Sequence, residues 1–361
     1  VAVKERVLVA GFATRHVAQS AYRAGYEVCA VDHFCDQDLR GYTKDCCTFD
    51  ELAELYDRVI EMARRHSIDM LVVTSGAEAI GTTIPLCGTP PAKVERYLDK
   101  MEIQRFFEGL GVPVPPLAAE GAYPAMLKPR RGSGGWRNAV VRSDEERRNW
   151  EEIFPDTPYI TQQLVDGMPA SVSCIADGTR ALAVATNEQL LRGTNASAHG
   201  FAGSITPAGH PFAARMASIA EAIVGASGCV GSVGVDFMLG SDAWAIEINP
   251  RFQATLDTVE MATGRSVFQL HVDACRGRLP ERLPEQKCVA VRRILFAERD
   301  CVIRADLASL APAVADIPWP GTEVEEGQAI VSVYGWGSSR EEALRMLDTH
   351  ITTVRRYMEH G

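Results

Sequence analysis

The stretch Val235-Asp236-Phe237-Met238-Leu239, a short turn, and Ile246-Glu247-Ile248-Asn249-Pro250-Arg251-Phe252-Gln253 constrains the fold more than any other part of the chain. Its period of two is that of paired strands, yet the polar positions hold acids, an amide and a cation. With Ser241 and Asp242 as a two-residue turn, pairing sets Asp236 opposite Glu247 and puts Asn249, Arg251 and Gln253 on the Glu247 face. Like charges directly opposite one another destabilise a sheet. A divalent cation between them turns repulsion into ligation. Asn249 adds a neutral oxygen, giving the oxygen-only donor set that Mg²⁺ takes. Arg251 would then serve an anion held by the same metal.

The rest of the chain has to bury and position that hairpin. Its 361 residues, 46% of them hydrophobic, suffice for more than one domain. Val7 to Gly11, a helical stretch to about Ala24 and Tyr26 to Asp32 form a β-α-β opening. Thr48-x-x-Glu51 reads as a capping box before a helix with Leu52, Leu55, Val59, Ile60 and Ala63 on one face, and Met70 to Val73 follows as a buried strand. Alternation of this kind indicates an α/β fold with a parallel sheet covered by helices. The G-x-x-x-R run from Gly11 to Arg15 is not the dinucleotide fingerprint; Gly11 is either a tight strand-to-helix turn or part of a substrate-lining loop.

Prolines 90 and 91, and the cluster from Gly111 to Pro116, bracket a helix from Lys100 to Leu110. From Tyr123 to Val165 come a strand, a glycine-rich loop, a helix capped by Ser143-x-x-Glu146 and another strand, a small lid-sized unit. Strands at Val289 to Phe296 and Ala329 to Tyr334 precede a last helix, opened by Ser339-x-x-Glu342 and carrying Leu344, Leu347, Ile351, Val354 and Met358 on one face.

With 37 Lys+Arg against 47 Asp+Glu and a net charge of -10, no broad basic surface for nucleic acid or a membrane is expected. An anionic ligand must therefore be met locally, and Lys128-Pro129-Arg130-Arg131-Gly132-Ser133-Gly134-Gly135-Trp136-Arg137 is where cations concentrate. Lys128 at a strand end supplies a point charge, and the glycines let backbone N–H groups approach phosphate oxygens. The ten cysteines, with no C-x-x-C spacing and no zinc-type Cys/His cluster, read as reduced thiols of a cytoplasmic protein. No run approaches the roughly 18 apolar residues of a membrane span, and Lys4, Glu5 and Arg6 ahead of a short strand do not make a signal peptide.

In order along the chain stand Lys100 on a helix, Lys128 with its glycine loop, the strand Gln162-Gln163-Leu164-Val165, Asp236, and Glu247-x-Asn249-x-Arg251. That series resembles the ATP-grasp superfamily, and the tail from Pro318 to Ala343 resembles its carboxylase-like branch. The resemblance implies an ATP-grasp fold, α+β in its ATP-binding part. A Rossmann-like pre-ATP-grasp domain would span 1–92, the ATP-grasp domain 93–275 with a lid at about 116–166, and a β-rich C-terminal subdomain 276–361. It further implies that Lys100 and Lys128 touch ATP phosphates under a loop of Gly132, Ser133, Gly134 and Gly135. Main-chain groups of Gln163 and Val165, within the hinge strand Gln162 to Val165, would meet the adenine edge. Asp236, Glu247 and Asn249 would hold one or two Mg²⁺ ions, Mn²⁺ being an acceptable substitute. Arg251, with Asn249, would steady the transferred phosphoryl group. Pro169 falls near where many relatives carry a ribose-binding glutamate, and Asp166 is a weak substitute.

Three activities remain open at this level: an ADP-forming carboxylate-amine ligase acting through an acyl phosphate, a biotin-carboxylase-like carboxylation through carboxyphosphate, and a non-catalytic ATP-binding module. The partners implied are ATP, a small carboxylic acid and an amine, with a homodimer possible. Ser75-Gly76-Ala77-Glu78 is either a substrate-side loop or an ordinary turn. Arg192 is either a phosphate contact or a solvated arginine, and His199 reads as a loop histidine rather than a base.

Overall fold

The computed structural model describes residues 5–132, 134–135, 137–193, 200–283 and 285–360, so Ser133 and His199 lie outside the described residues. The N-terminal unit runs β1 (Arg6–Ala10), α1 (Arg15–Arg23), β2 (Glu27–Val31), α2 (Gln37–Tyr42), β3 (Asp45–Cys47), α3 (Leu55–Arg65) and β4 (Met70–Val73). Its parallel sheet has the order β3-β2-β1-β4. The central strand, Arg-Val-Leu-Val-Ala, is buried on both faces, which is why its apolar run is continuous rather than alternating. The chain adds β2 and β3 on one side of β1 and then crosses to β4 on the other. A switch point results at the carboxyl ends of β1 and β4, where a parallel sheet opens a crevice. The two loops touch there: Phe12 N–H donates to the Ser75 carbonyl at 2.8 Å. A Cβ on Gly11 would lie 2.1 Å from Thr74 Oγ1, so this glycine is required by the close approach of the loops.

The expected capping box at Thr48 does not form. Leu52–Glu54 is a turn of 3-10 helix, and α3 starts at Leu55 with no side-chain cap. Leu52 is exposed, and the buried stripe is Leu55, Val59 and Met62.

After α4 (Pro91–Val94) and α5 (Lys100–Gly109) comes a separate three-stranded sheet: β5 (Ala125–Pro129) between β6 (Ala139–Val141) and β7 (Tyr159–Gln163), with α6 (Asp144–Ile153) packed over it through Trp150. The Ser143 box does form, with the Glu146 N–H donating to Ser143 Oγ at 3.2 Å. The chain then builds β8 (Met168–Asp177), β9 (Ala181–Leu191), β10 (Phe201–Thr206), α7 (Ala213–Ser227), β11 (Val230–Leu239), β12 (Ala243–Asn249), α8 (Leu256–Thr263) and α9 (Val267–Cys275). The C-terminal part adds β13 (Val289–Phe296), β14 (Cys301–Ile303), β15 (Val314–Ala315), β16 (Thr322–Val324), β17 (Ala329–Gly337) and α10 (Arg340–His360). One eight-stranded antiparallel sheet, ordered β12-β11-β8-β9-β10-β13-β17-β15, joins the two regions through the β10–β13 pairing. Ala343, Leu347 and Val354 of α10 bury against β13 and β17.

The opening hairpin arrives at its expected pairing by a different route. Its turn has three residues, Gly240 to Asp242, because Leu239 pairs with Ala243. That longer turn alone would put Asp236 opposite Ile246 and flip every later side chain to the other face. A bulge at Ile246 supplies the compensating residue, so Asp236 does face Glu247.

The reading of all cysteines as reduced thiols is corrected: Cys35 and Cys46 form a disulfide, and the other eight are free. Cys35 follows β2 and Cys46 lies in the adjacent β3, a proximity set by strand pairing rather than by any local cysteine spacing.

Candidate active site

Asp236 on β11 and Glu247 and Asn249 on β12 line one cavity of about 220 Å³ together with Arg251, Gln189, Pro169 and the lid residues Gly134, Gly135 and Asn138. Burial raises the Asp236 carboxyl, and Glu247 opposite raises it further, to about 6. The repulsion inferred from the strand pattern is therefore present in the folded chain. Two amides offset it: Gln189 Nε2 donates to Asp236 Oδ1 at 2.8 Å and Asn249 Nδ2 donates to Oδ2 at 3.0 Å. Arg251 is held from two sides, its Nε donating to Glu78 Oε1 at 2.6 Å and its Nη2 to Asn249 Oδ1 at 3.1 Å.

Glu78 belongs to the Ser75–Glu78 loop, so the switch-point crevice of the N-terminal sheet opens directly onto Arg251. The sequence offered that loop as one of two readings. It offered nothing for Gln189, which reaches the site only because β9 pairs with β8 and β8 with β11.

Lys128 and Lys100 approach from the lid side. Lys100 Nζ donates to the Gly132 carbonyl at 2.6 Å and lies 3.9 Å from Glu247 Oε1. Lys128 is buried on β5. Desolvation lowers it to about 8, with the Lys100 charge acting in the same sense and Glu247 opposing. The remaining cations of the loop are spent on protein groups: Arg130 forks onto Asp99, the cap of α5; Arg131 pairs with Glu95; and Arg137 lies over the Phe154 ring. The basic cluster therefore reduces to two lysines facing the acidic hairpin. Gly134 and Gly135 sit at φ +68° and +71°, backbone that a side chain would strain.

The strand Gln162 to Val165 lies at the end of the lid, outside the lining of that cavity. Gln162 is buried, its Nε2 donates to Gln104 Oε1 at 2.7 Å, and its own Oε1 has no partner. Gln163 N–H donates to the Pro116 carbonyl at 2.8 Å. Proline has no N–H to return that bond, so the Gln163 carbonyl keeps its acceptor capacity at an open edge. Leu164 and Val165 follow, half-buried, beyond the end of β7. Arg192 is neither free nor turned to the site: its Nη2 donates to the Gly327 carbonyl at 2.6 Å and its guanidinium stacks on Phe296.

The donor set fits a hard divalent cation. Asp236 and Glu247 are facing carboxylates with a neutral amide beside them, and the folded chain holds them at a cost that a cation would remove. The unpartnered Gln162 oxygen and the Gln163 carbonyl fit a hydrogen-bonding heterocycle at the lid edge. A larger cavity, about 380 Å³, lies against Arg15, Asp257 and Tyr334, where Arg15 and Asp257 are closed on one another. Arg15 donates to both Asp257 oxygens at 2.9 and 2.6 Å and to Asp316 Oδ1 at 2.8 Å, and Arg292 donates to Asp316 Oδ2 at 2.8 Å.

Residues 97–255 match the model of the ATP-grasp domain. Among curated proteins, the chain is 24% identical over 354 residues to an uncharacterised protein of Methanocaldococcus jannaschii, covering 91% of this chain and 87% of that one. It is 23% identical over 310 residues to the C-terminal section of the carbamoyl phosphate synthase large chain of Methanopyrus kandleri, covering 76% of this chain and 56% of that section. Against the full-length large chain of Myxococcus xanthus the chain spans 29% of the relative. Among solved structures, the biotin carboxylase domain of Hydrogenobacter thermophilus 2-oxoglutarate carboxylase, a dimer in complex with MgADP, ADP and bicarbonate, superposes with TM-score 0.80 at 15% identity, covering 97% of this chain and 90% of that one. Campylobacter jejuni biotin carboxylase with a β-γ-ATP ligand gives 0.76 at 17%, covering 94% and 89%. The residues lining the cavity between the three-stranded sheet and the hairpin lie within the segment that matches the ATP-grasp domain, and the chain has the ATP-grasp fold.

Proposed function

We propose that the chain is an Mg²⁺-dependent, ADP-forming ligase that activates a small carboxylic acid as an acyl phosphate and joins it to an amine. The observation that carries this reading is the convergence of Asp236, Glu247, Asn249 and Arg251 on one cavity, with two lysines opposite. In the proposed reaction a carboxylate oxygen of the substrate attacks the γ-phosphorus of ATP, and the bond to the β-γ bridging oxygen breaks to release ADP. The amine nitrogen then attacks the acyl carbon, phosphate leaves, and the amine loses a proton to give the amide. Phosphoryl transfer of this kind needs positioning and charge stabilisation rather than a protein nucleophile.

Asp236, Glu247 and Asn249 would hold the metal, which supplies Lewis-acid stabilisation of phosphoryl oxygens. Arg251, with its Nε fixed by Glu78, would present its remaining donors to the transferring group. Lys100 and Lys128 would meet the phosphates, the loop Gly132 to Gly135 would cover them, and the Gln163 carbonyl and Val165 N–H would take the adenine edge. The lid excludes water that would hydrolyse the acyl phosphate. The domain limits 1–92, 93–275 and 276–361, a homodimer and a cytoplasmic location belong to the same proposal; the dimeric state of the H. thermophilus domain supports the second.

Likeness to biotin carboxylases and carbamoyl phosphate synthases supports a second reading, in which bicarbonate is the acid and carboxyphosphate the intermediate. Hydroxylamine separates the two. With a panel of carboxylic acids and ATP, the ligase yields an acyl hydroxamate in step with ADP, and Arg251→Ala lowers that rate by about 10²–10³-fold. ADP release that depends on bicarbonate alone would transfer the assignment to the carboxylase reading. ATP binding without turnover for any acid would leave a binding module.

A further inference from the structure

Cys87, His271 and Cys275 meet near the start of β11, where the N-terminal unit hands over to the ATP-grasp domain. Their sulfur and nitrogen atoms all lie within 4.8 Å of one another. His271 and Cys275 are one turn apart on α9, and Cys87 comes from the segment after β4. That segment is fixed against β11: the Val230 N–H donates to Thr89 Oγ1 at 3.0 Å, and Thr89 Oγ1 donates to the Val230 carbonyl at 3.2 Å. Gly231 makes the meeting possible. A Cβ there would lie 2.4 Å from the His271 ring and 3.1 Å from Cys275 Sγ.

A three-ligand metal centre is the first chemistry such a cluster suggests, and the hydrogen bonds of His271 oppose it. The Ser232 N–H donates to Nδ1 at 2.8 Å, so Nδ1 carries a lone pair and the ring proton sits on Nε2. Nε2 in turn lies 2.9 Å from the Cys87 carbonyl, to which it donates. Ligation through Nε2 would need that proton gone, and moving it to Nδ1 would set N–H against N–H. His271 is thus held as a neutral donor, leaving the two sulfurs as the reactive groups. They are not equivalent. A hydrogen bond from Cys275, helped by His271 and opposed by burial, lowers the Cys87 thiol to about 5, while the same contact and burial push Cys275 far up. The shared contact favours the thiolate on Cys87 and the proton on Cys275.

We propose that Cys87 and Cys275 form a reactive dithiol site for low-molecular-mass disulfides, closing into an intramolecular disulfide that ties the segment after the N-terminal unit to α9. In the first step the Cys87 thiolate attacks one sulfur of the external disulfide RSSR; that S–S bond breaks, and one RS⁻ leaves and takes a proton. In the second, Cys275 loses its proton and attacks the Cys87 sulfur of the mixed disulfide, expelling the second RS⁻. Two protein thiols give up two electrons and two protons, and RSSR becomes two RSH. Both cysteine residues are partly exposed. The two sulfurs, within 4.8 Å of one another, need to close to about 2.05 Å.

The test equilibrates the full chain with oxidised and reduced glutathione at a series of ratios, quenches with acid, and maps cysteines by mass spectrometry after alkylation. The expected product in the wild-type chain is a Cys87–Cys275 linked peptide pair that excess dithiothreitol reverses. In Cys275→Ser, Cys87 should accumulate as the glutathione mixed disulfide. Before oxidation, Cys87 should alkylate at pH 7 at least about tenfold faster than Cys275. A wild-type chain in which Cys87 stays unmodified, or stops at the mixed disulfide, overturns the proposal, and this measurement needs no variant to fold. Stoichiometric Zn²⁺ binding lost in His271→Ala would overturn it in favour of a metal centre.

Discussion

Replacing Asp236 with Asn tests the electrostatics of the hairpin without metal or nucleotide. Its carboxyl is raised to about 6, by burial first and by Glu247 second, against hydrogen bonds from Gln189 and Asn249. The unfolded value is about 3.9. A carboxyl raised on folding contributes stability through its protonated form, in full below about pH 3.9 and lost as the pH rises through 6. Between pH 8 and pH 5 the folded chain therefore takes up a proton that the unfolded chain does not. One unit below the folded value is worth about 1.4 kcal/mol, and solvent at the cavity mouth reduces this to about 1 kcal/mol. Asp36 and Glu260, pushed to about 8 and 7, titrate in the same sense, but they are common to both proteins and cancel in the difference. For a chain of this length an unfolding entropy of about 2.1 cal/mol/K per residue converts that gap to about 1–2 °C. Thermal unfolding of the metal-free proteins, followed from pH 8 to pH 5 at low salt, should show the wild-type midpoint gaining that much over Asp236→Asn. Mg²⁺ with ATP at pH 8 should raise the midpoint of the wild type alone. Parallel curves for the two proteins across this range would refute the reasoning.

Lys128, lowered to about 8 by burial, should regain its proton when phosphate oxygens arrive. ATP binding at pH 9, measured calorimetrically in buffers of different ionisation enthalpy, should show net proton uptake that Lys128→Met removes. Arg15→Leu leaves Asp257 and Asp316 buried and short of a partner, and urea unfolding should report a loss of about 3–5 kcal/mol; a loss under about 1 kcal/mol would mean that Arg292 alone neutralises both.

What the sequence disclosed of this site follows from how local each part is. Asp236, Glu247 and Asn249 lie on one hairpin, where a period of two carries side-chain direction directly; the expected continuation of that alternation to Arg251 and Gln253 fails, because β12 ends at Asn249 and Arg251 lies in the bend that follows. Even a turn one residue too short did no harm, because the real turn and the bulge at Ile246 each add one residue and cancel. Lys128 followed from a strand end and Lys100 from the resemblance alone, and three of the cations around them proved to be tied to Asp99, Glu95 and Phe154. The groups that aim the site were hidden. Gln189 and Gln104 sit in unremarkable polar positions of a strand and a helix, and only strand order and lid docking bring them to Asp236 and Gln162. Arg15 stood out merely as a departure from a dinucleotide motif. It is instead the buried cation joining α1 to α8 and to the segment after β15, and the energy of that role resides in Asp257 and Asp316, hundreds of residues away. A separation of 184 residues or more likewise hid the neighbours of Cys87, whereas Cys35 and Cys46 are only 11 residues apart and meet through the β2–β3 pairing. Cys87 carries no mark of its own; His271 and Cys275, one helical turn apart, come beside it only because Gly231 lets α9 press onto β11. Chemistry within one element is written in its period, whereas chemistry assembled at a sheet's switch point or a domain junction is written in packing, and Glu78 on Arg251 shows that this chain needs both kinds to make one site.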